Sequence, residues 1–442
     1  MTQSLLPLEM TADTPQPISI IVLGGGQRGV IYSKYCTQGG RATIAAVADP
    51  RDGRRKLFAR QFHVPQDKLF SDWREVAKLP KFADAVVVSV LDQLHAEVVH
   101  VFAKLGYHIL CEKPMATEIA DCVAMVRDIT PSTIFGVGHV LRYSPYNVAV
   151  KKVIDSGILG EIVNIQHQEP VGNVHFSHSF VRGNWNTEET TTFALMSKCC
   201  HDLDILSFYL SGAKPVRVSS FGNLFNFKPS KKPTKAGDAT RCLECPAEPE
   251  CVWSAKRIYY DPVEKQGKKG WASVFVDDVT PENVKAALKD GPYGRCVFEA
   301  GNDVVDHQVV NIEYEGGTTA NMTMSAFTES ECNRQTYIQG TLGELVGDMR
   351  TFTVFDFRTR QRTSHSPKQT EEGGHGGGDA GLSMAFVDAV VQRKQECLGI
   401  TPDDVLNSHL IVFAAEKARH TNTVVDFDTF KTQALDGTAT YK

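Results

Sequence analysis

The feature that most restricts what this chain can fold into is Gly24-Gly25-Gly26-Gln27-Arg28-Gly29, set between an apolar run, Ile18–Leu23, and a stretch with helical patterning. This is G-x-G-x-x-G in the strand–turn–helix setting that gives the spacing its meaning. The first glycine permits a tight turn, the second lets backbone approach a pyrophosphate, and the third lets the helix pack closely on the strand. Unpaired N–H groups at the helix start then face the phosphates. Asp49 follows the next apolar run, twenty residues beyond Gly29, where a carboxylate accepts adenosine ribose hydroxyls. A glycine-rich turn alone would say little; turn, setting and acid together predict dinucleotide binding. Asp49 repels a 2′-phosphate and favours NAD, while Arg51, Arg54 and Arg55 keep NADP as the second option.

Buried parallel strands are predicted at Ile18–Leu23, Thr43–Ala48, Ala83–Val90, His108–Cys111 and Ile134–Val140. Helical spacing fills Arg51–Phe62, His95–Leu105 and Ile119–Ile129 between them. The alternation predicts an α/β class with a doubly wound (Rossmann) domain over residues 18–142, after a polar tail over 1–17. Residues 143–442 change character. Glu161–Gln168, Val216–Phe227, Gln308–Tyr314, Thr318–Ala326, Gln335–Gln339 and Thr353–Phe357 predict a largely antiparallel open sheet with helices packed on it. Residues 228–302, rich in Lys, Pro and Cys, read as an insertion. A Ser/Gly/His-rich loop, Thr363–Asp379, precedes a helix over Leu382–Gln392.

Composition narrows the function classes. The formal net charge is −5, too small for bulk electrostatic binding to nucleic acid or anionic membrane. Hydrophobic residues at 42% and charged residues at 22% fit a globular chain, and no apolar run is long enough to span a membrane. The start of the chain lacks the basic-then-apolar order of a secretory signal. Eleven cysteines, an odd number spread over a long chain, read as reduced thiols in the cytoplasm.

Two further motifs carry chemistry. Cys111-Glu112-Lys113-Pro114 ends a predicted strand on the crevice side of the sheet, where a lysine can bond a hydroxyl; a solvated lysine before a turn is the alternative. Over Phe193–Leu210 a helix predicts an apolar stripe of Met196, Cys199, Cys200, Leu203, Leu206 and Leu210. Lys198, His201 and Asp202 then share the opposite face, with Asp204 at its border. His201 there is a candidate general base; a solvated face with a Lys198–Asp202 pair is the alternative.

These residues, with Ala48-Asp49-Pro50, Asp92-Gln93-Leu94-His95, Leu141-Arg142-Tyr143-Ser144-Pro145 and Gly157-Ile158-Leu159-Gly160, resemble the glucose–fructose oxidoreductase, inositol dehydrogenase and rhizopine-catabolism (Gfo/Idh/MocA) family along most of the chain. The resemblance implies that Lys113 and His201 flank the substrate beside a nicotinamide. It implies cofactor contacts from Gly24, Gly26, Gln27, Arg28, Gly29, Asp49, Asp92, His95, Glu112, Lys113 and Arg142. It also implies homo-oligomers, dimer or tetramer, through the C-terminal sheet. Many members carry an Asp four residues before this histidine and a Gly two before it. Here Ser197 and Cys199 stand there, and Lys198 is a substitute cation. His175–Trp185 looks like a variant of one branch, on a loop bordering the substrate. Tyr143 and His178 join the substrate set there, with Arg182 as a clamp and Trp185 as a stacking face. In His375-Gly376-Gly377-Gly378-Asp379 the glycines allow close backbone approach, and His375 or Asp379 meets a hydroxyl; a flexible loop tip is the alternative.

Cys242, Cys245 and Cys251, with Cys296 or a histidine, have the makings of a structural zinc site, although the spacing is not a standard pair of C-x2-C hooks; free thiols packing an irregular lobe are the alternative. The expected activity is NAD(P)-dependent hydride transfer at a sugar, sugar-derivative or cyclitol hydroxyl. The alternative is a redox glycosidase that holds NAD tightly, oxidises a ring hydroxyl transiently, eliminates the aglycone and adds water. A non-catalytic sensor fits the Lys113 and His201 pair least.

Overall fold

The structure, a computed structural model, describes residues 16–368 and 375–442. Most of the expected tail and part of the loop Thr363–Asp379 lie outside the described residues. The chain divides into two compact units.

The first unit takes the chain up to Glu112, Met125–Gly138 and Asp379–Pro402. Its sheet holds β1 (Ile18–Leu23), β2 (Ala42–Ala48), β3 (Leu69–Phe70), β4 (Ala85–Val88), β5 (His108–Cys111) and β6 (Phe135–Val137), in the order β3-β2-β1-β4-β5-β6. Every pairing is parallel. Ile20–Leu23 and Ala85–Val88 are wholly buried, as expected of strands covered on both faces. Leu23 pairs with both Ala48 and Val88, and Val88 with Cys111, so β1, β2, β4 and β5 end level. Gly24, Asp49, Ser89 and Glu112 follow those ends, at the point where strand order reverses from β1.

The single boundary expected at residue 142 is corrected. Residues 379–402 return to the first unit. The helix Gly378–Gln392 brings Asp388 to Arg41, and Gln395 bonds both backbone groups of Phe135 at 3.0 and 2.9 Å. Local patterning identifies a helix but not which sheet covers it.

The second unit comprises Lys113–Ala124, His139–Gly378 and Asp403–Lys442. Its nine strands are β7 (Ile162–Pro170), β8 (Pro215–Asn223), β9 (His307–Tyr314), β10 (Thr319–Ser325), β11 (Gln335–Gly340), β12 (Gly343–Gly347), β13 (Phe352–Asp356), β14 (Gln361–His365) and β15 (Val425–Asp426). The order is β14-β13-β12-β11-β7-β10-β9-β8-β15, antiparallel except for the parallel pair β7 and β10. Period-two alternation along β7 buries Ile165, His167 and Glu169 and exposes Gln166 and Gln168. The helix Ala194–Tyr209 packs on the buried face, against β7 and β10. The expected insertion is a lobe with its own small core of Ala255, Tyr259, Val284 and Leu288.

Candidate functional site

The first unit carries a dinucleotide cradle. Gly24 has φ +101°, and a Cβ there would lie 2.2 Å from Ser89 O; one on Gly29 would lie 2.1 Å from Gly24 O. The fold itself demands those two glycines. Gly26 differs: a Cβ would meet nothing closer than Arg51 Nη2 at 3.8 Å, so the loop leaves open space above it. Gly26 caps the helix Gln27–Cys36 without a side-chain acceptor, leaving first-turn N–H groups for an anion. Asp49, buried, accepts from Gly25 N–H at 3.0 Å and Arg51 N–H at 2.9 Å. Loop and acid are therefore one rigid unit. These features fit an adenine dinucleotide.

Gly26→Val fills the open space, and the folded variant is expected to bind NADH at least about 10²-fold more weakly in calorimetry. Binding equal to wild type would remove the loop from the site.

Other expected cofactor residues have structural duties. Arg28 pairs with Glu112, with Asp379 at 2.8 Å, and with the Tyr32 hydroxyl at 2.7 Å. Burial opposes its charge, but those neighbours hold its pKa well above the ordinary value. Asp379 thus braces the glycine loop through Arg28, which corrects its expected contact with a substrate hydroxyl. His95 is buried with Nε2 3.3 Å from Val90 O, and Asp92 lies half-buried at the turn after β4. Arg142 is in the second unit and gives both guanidinium edges to Asp204, at 2.7 and 2.8 Å. That pairing replaces its expected role at the cofactor.

In the second unit, Lys113 donates to Ser197 O at 2.6 Å, one helical turn before His201. His201 is 3% exposed, and neither ring nitrogen has a hydrogen-bond partner among the described residues. Leaving such a group unsatisfied costs about 1–3 kcal/mol, which a ligand hydroxyl would offset. The His375 ring lies 5.3 Å from His201 and the His139 ring 6.1 Å. His375 has φ +59°, a conformation uncommon for residues other than glycine. Burial first, then the charge of Lys113, pushes the His201 pKa well below its ordinary value. His201 is therefore neutral and able to accept a proton. The His375 ring lies beside His201, and Lys113 reaches the same helix one turn earlier, at Ser197 O.

The expected solvated helix face is corrected, because nearly every residue of the helix is buried. No Lys198–Asp202 pair forms there. Lys198 lies 3.2 Å from Glu169 and donates to Cys332 Sγ at 3.0 Å. Glu169 outweighs burial and keeps Lys198 charged, with its pKa raised. Arg334, 2% exposed, sits 3.0 Å from Glu169 and donates to Asp202 at 2.6 Å. His167 completes Asp202 at 3.0 Å. Burial would raise the Asp202 carboxyl, but Arg334 and His167 lower it instead. For Asp204, Arg142 outweighs burial and brings the pKa to about 2. Lys198 thus anchors the sheet beneath the site rather than contacting substrate.

The loop residues divide the same way. His178 is buried, 3.1 Å from the Tyr259 hydroxyl, with its ring 4.5 Å from Trp271 and 4.7 Å from Tyr293. Burial, then the charge of Arg182, lowers its pKa to about 4. Arg182 is 2% exposed and donates to Arg295 O at 2.8 Å, Trp253 O at 2.7 Å and Cys242 Sγ at 3.3 Å. It ties the loop to the lobe, so the expected clamp on substrate is corrected. Trp185 packs 6.1 Å from Phe180. Tyr143 is half-buried, and burial raises its hydroxyl pKa.

The zinc expectation is not carried. Among the described residues, Glu188, Glu416 and His420 form the one group of three close enough for a metal, and no cysteine is in it. Arg182 directs its guanidinium at Cys242, so a cation already faces that sulfur. Arg419 and Lys442 likewise pair with Glu416 and Glu188.

Sequence reasoning missed His139, His409, Glu169 and Arg334. His409 accepts from Met115 N–H at 2.9 Å while its Nδ1 donates to Val405 O at 3.0 Å, holding the backbone just past Lys113. Glu169 had a signal: it follows Ile165 and His167 at period two on β7.

A family model described as an oxidoreductase family NAD-binding Rossmann fold matches residues 18–135, and the family's C-terminal alpha/beta domain matches 151–427. Inositol 2-dehydrogenase of Rhizobium meliloti is 24% identical over 279 residues, 61% of this chain and 78% of that protein. The 2,7-anhydro-N-acetylneuraminate hydratase of Escherichia coli is 28% identical over 206 residues, 46% of this chain and 51% of that protein. The fold is also that of levoglucosan dehydrogenase in complex with NADH and levoglucosan, with a TM-score of 0.68 at 17% identity, covering 93% of this chain and 100% of that one.

Proposed function

This chain belongs to the Gfo/Idh/MocA oxidoreductase family, and from that premise we propose hydride transfer between a ring carbon of a sugar, sugar derivative or cyclitol and NAD, with Lys113 and His201 handling the hydroxyl proton. The observation that carries this reading is His201: a neutral, buried imidazole with two unpartnered nitrogens, beside a lysine. A bound nicotinamide supplies the two-electron acceptor. His201 accepts the O–H proton as the carbonyl forms, and the Lys113 ammonium stabilises negative charge on that oxygen. Ser197 O and the His409 bond to Met115 orient Lys113 from both sides. Asp49 supports NAD over NADP, since its buried carboxylate, held by Gly25 N–H and Arg51 N–H, repels a 2′-phosphate, and Arg51 folds back onto it at 3.3 Å.

The redox glycosidase reading draws on the likeness to the 2,7-anhydro-N-acetylneuraminate hydratase. The exposed Phe221 and Tyr337 on the open face of the nine-stranded sheet support a homo-oligomer through that face. Eleven free thiols support a reducing, cytoplasmic location.

Mixing NAD-loaded protein with myo-inositol, glucose and methyl glucosides is expected to raise absorbance at 340 nm with at least one of them, and NADH is expected to bind more tightly than NADPH. No rise with any member would overturn hydride transfer, and tighter NADPH would assign the preference to Arg51.

A further inference from the structure

Arg182 carries a buried charge without a carboxylate to meet it. It is 2% exposed, and its hydrogen bonds go to Arg295 O, Trp253 O and Cys242 Sγ. Among the described residues no Asp or Glu pairs with it, and its Nη1 has no hydrogen-bond partner. A guanidinium keeps its proton in a protein, and a buried charge is ordinarily paired. Burial raises the Tyr259 hydroxyl and the Cys251 thiol against the opposing charge of Arg182, so both stay protonated. Cys242 Sγ, 3.3 Å from Nη2, is the acidic group the guanidinium touches.

A second thiol lies within bridging range. Cys242 opens the 3₁₀ turn Cys242–Glu244, and Cys245 N–H donates back to Cys242 O at 3.3 Å. A turn of that kind keeps the two Cα atoms within about 7 Å, inside the limit for a disulfide. Exposure divides the pair: Cys242 is 6% exposed, whereas Cys245 is half-buried. Cys251 and Cys296 belong to other turns, with their N–H groups on Glu248 O and Thr240 O.

From this arrangement we propose that Cys242 and Cys245 are a redox-active dithiol, closed to an intramolecular disulfide by a low-molecular-mass disulfide, with Arg182 stabilising Cys242 as the attacking sulfur. The inference goes beyond hydride transfer and does not depend on it.

The exposed thiol reacts first. Cys245 sulfur attacks one sulfur of a small disulfide RSSR, the S–S bond breaks, and Cys245–S–SR remains as RS⁻ leaves. Cys242 sulfur then attacks the Cys245 sulfur, a second RS⁻ leaves, and the Cys242–Cys245 bond forms. Two thiols lose two electrons, RSSR gains them, and the two thiol protons end on two RSH. The thiolate is the attacking form of a thiol, and an adjacent guanidinium stabilises that charge. The disulfide carries no charge, so Arg182 is then left with carbonyls alone. Arg182 ends the wholly buried segment Ser177–Arg182, so oxidation loosens the tie between that segment and the lobe.

The experiment incubates the full-length protein with glutathione disulfide, alkylates the remaining thiols with iodoacetamide and weighs the tryptic peptides. Cleavage after Arg241 and Lys256 releases Cys242, Cys245 and Cys251 on one peptide. Wild type is expected to give this peptide two hydrogens lighter, bonded between Cys242 and Cys245 and alkylated at Cys251. Arg182→Gln should close the bond about tenfold more slowly, because the attacking thiolate loses its counter-charge. Cys245→Ser should give no lighter peptide, and it serves if Arg182→Gln does not fold. Amide hydrogen exchange over Ser177–Arg182 should be faster in oxidised wild type than in reduced. A bond to Cys251 or Cys296 instead, closure in Arg182→Gln at the wild-type rate, or no closure at all would overturn the proposal. Unchanged amide exchange on oxidation would overturn the link to Arg182. One equivalent of zinc in the purified protein, with these thiols shielded from iodoacetamide, would overturn it as well by making them metal ligands.

Discussion

The Lys113→Ala, His201→Ala double variant is expected to reduce bound NAD at least about 10⁴-fold more slowly than wild type in a single turnover, while its NADH affinity changes little. The alcohol's O–H proton must leave as the carbonyl forms, or negative charge builds on oxygen. A positioned base contributes about 10²–10⁴-fold, and a donor aimed at the developing charge about 10²–10³-fold. The two act on one oxygen, so the single losses should not simply add. Affinity is expected to hold because the Gly24–Gly29 loop and Asp49, in the other unit, are untouched. His201→Ala alone should flatten the acidic limb of the pH–rate profile, since protonating His201 is what removes the base at low pH. Reduction at the wild-type rate in the folded double variant would move the chemistry to His375.

Arg334→Met should cost about 3–5 kcal/mol of stability, because breaking a buried ion pair strands charge away from water. Arg334 lies between Glu169 and Asp202, both wholly buried, at 3.0 and 2.6 Å. Burial alone would raise Asp202; the guanidinium reverses that and keeps the carboxylate ionised. Without it, Lys198 can compensate Glu169 but not Asp202, which retains only His167. A group whose folded pKa is depressed stabilises the fold above its unfolded pKa, near 3.9, and that stability is lost as pH falls. The variant's deficit, measured by urea unfolding, should therefore be full at neutral pH and shrink below about pH 4. A loss under about 1 kcal/mol would mean that the pair is no more than a surface-type contact.

Ile18–Leu23, Thr43–Ala48 and His108–Cys111 were legible to within a residue, while the expected Ala83–Val90 and Ile134–Val140 shrink to Ala85–Val88 and Phe135–Val137. Parallel strands buried on both faces must be nearly continuously apolar, and Ile20–Leu23 and Ala85–Val88 are. β3, two residues long, had no room for a pattern. β14, polar and exposed at the sheet edge, had no apolar face to alternate. The helix Ala194–Tyr209 shows a different limit. Periodicity says which residues share a face but not what covers it, so a polar face read as solvated is buried against charged residues of β7 and of the segment leading into β11. The candidate pair Lys113 and His201 came from family resemblance, since spacing alone left both open to ordinary readings. Arg182 was misassigned because its partners are lobe carbonyls more than seventy residues downstream, beyond any local pattern.

The central claim is that a carbon-bound hydrogen of a ring alcohol leaves as hydride while Lys113 and His201 take up the hydroxyl proton. The most direct test is stopped-flow absorbance at 340 nm on NAD-loaded wild type, comparing a reducing member of the panel with the same compound deuterated at its ring carbons. The account predicts that the deuterated compound reduces the cofactor more slowly, and that His201→Ala slows both forms while the isotope effect persists. Failure of every ring alcohol tested to raise the 340 nm signal, or reduction in which His201→Ala is as fast as wild type, would contradict it.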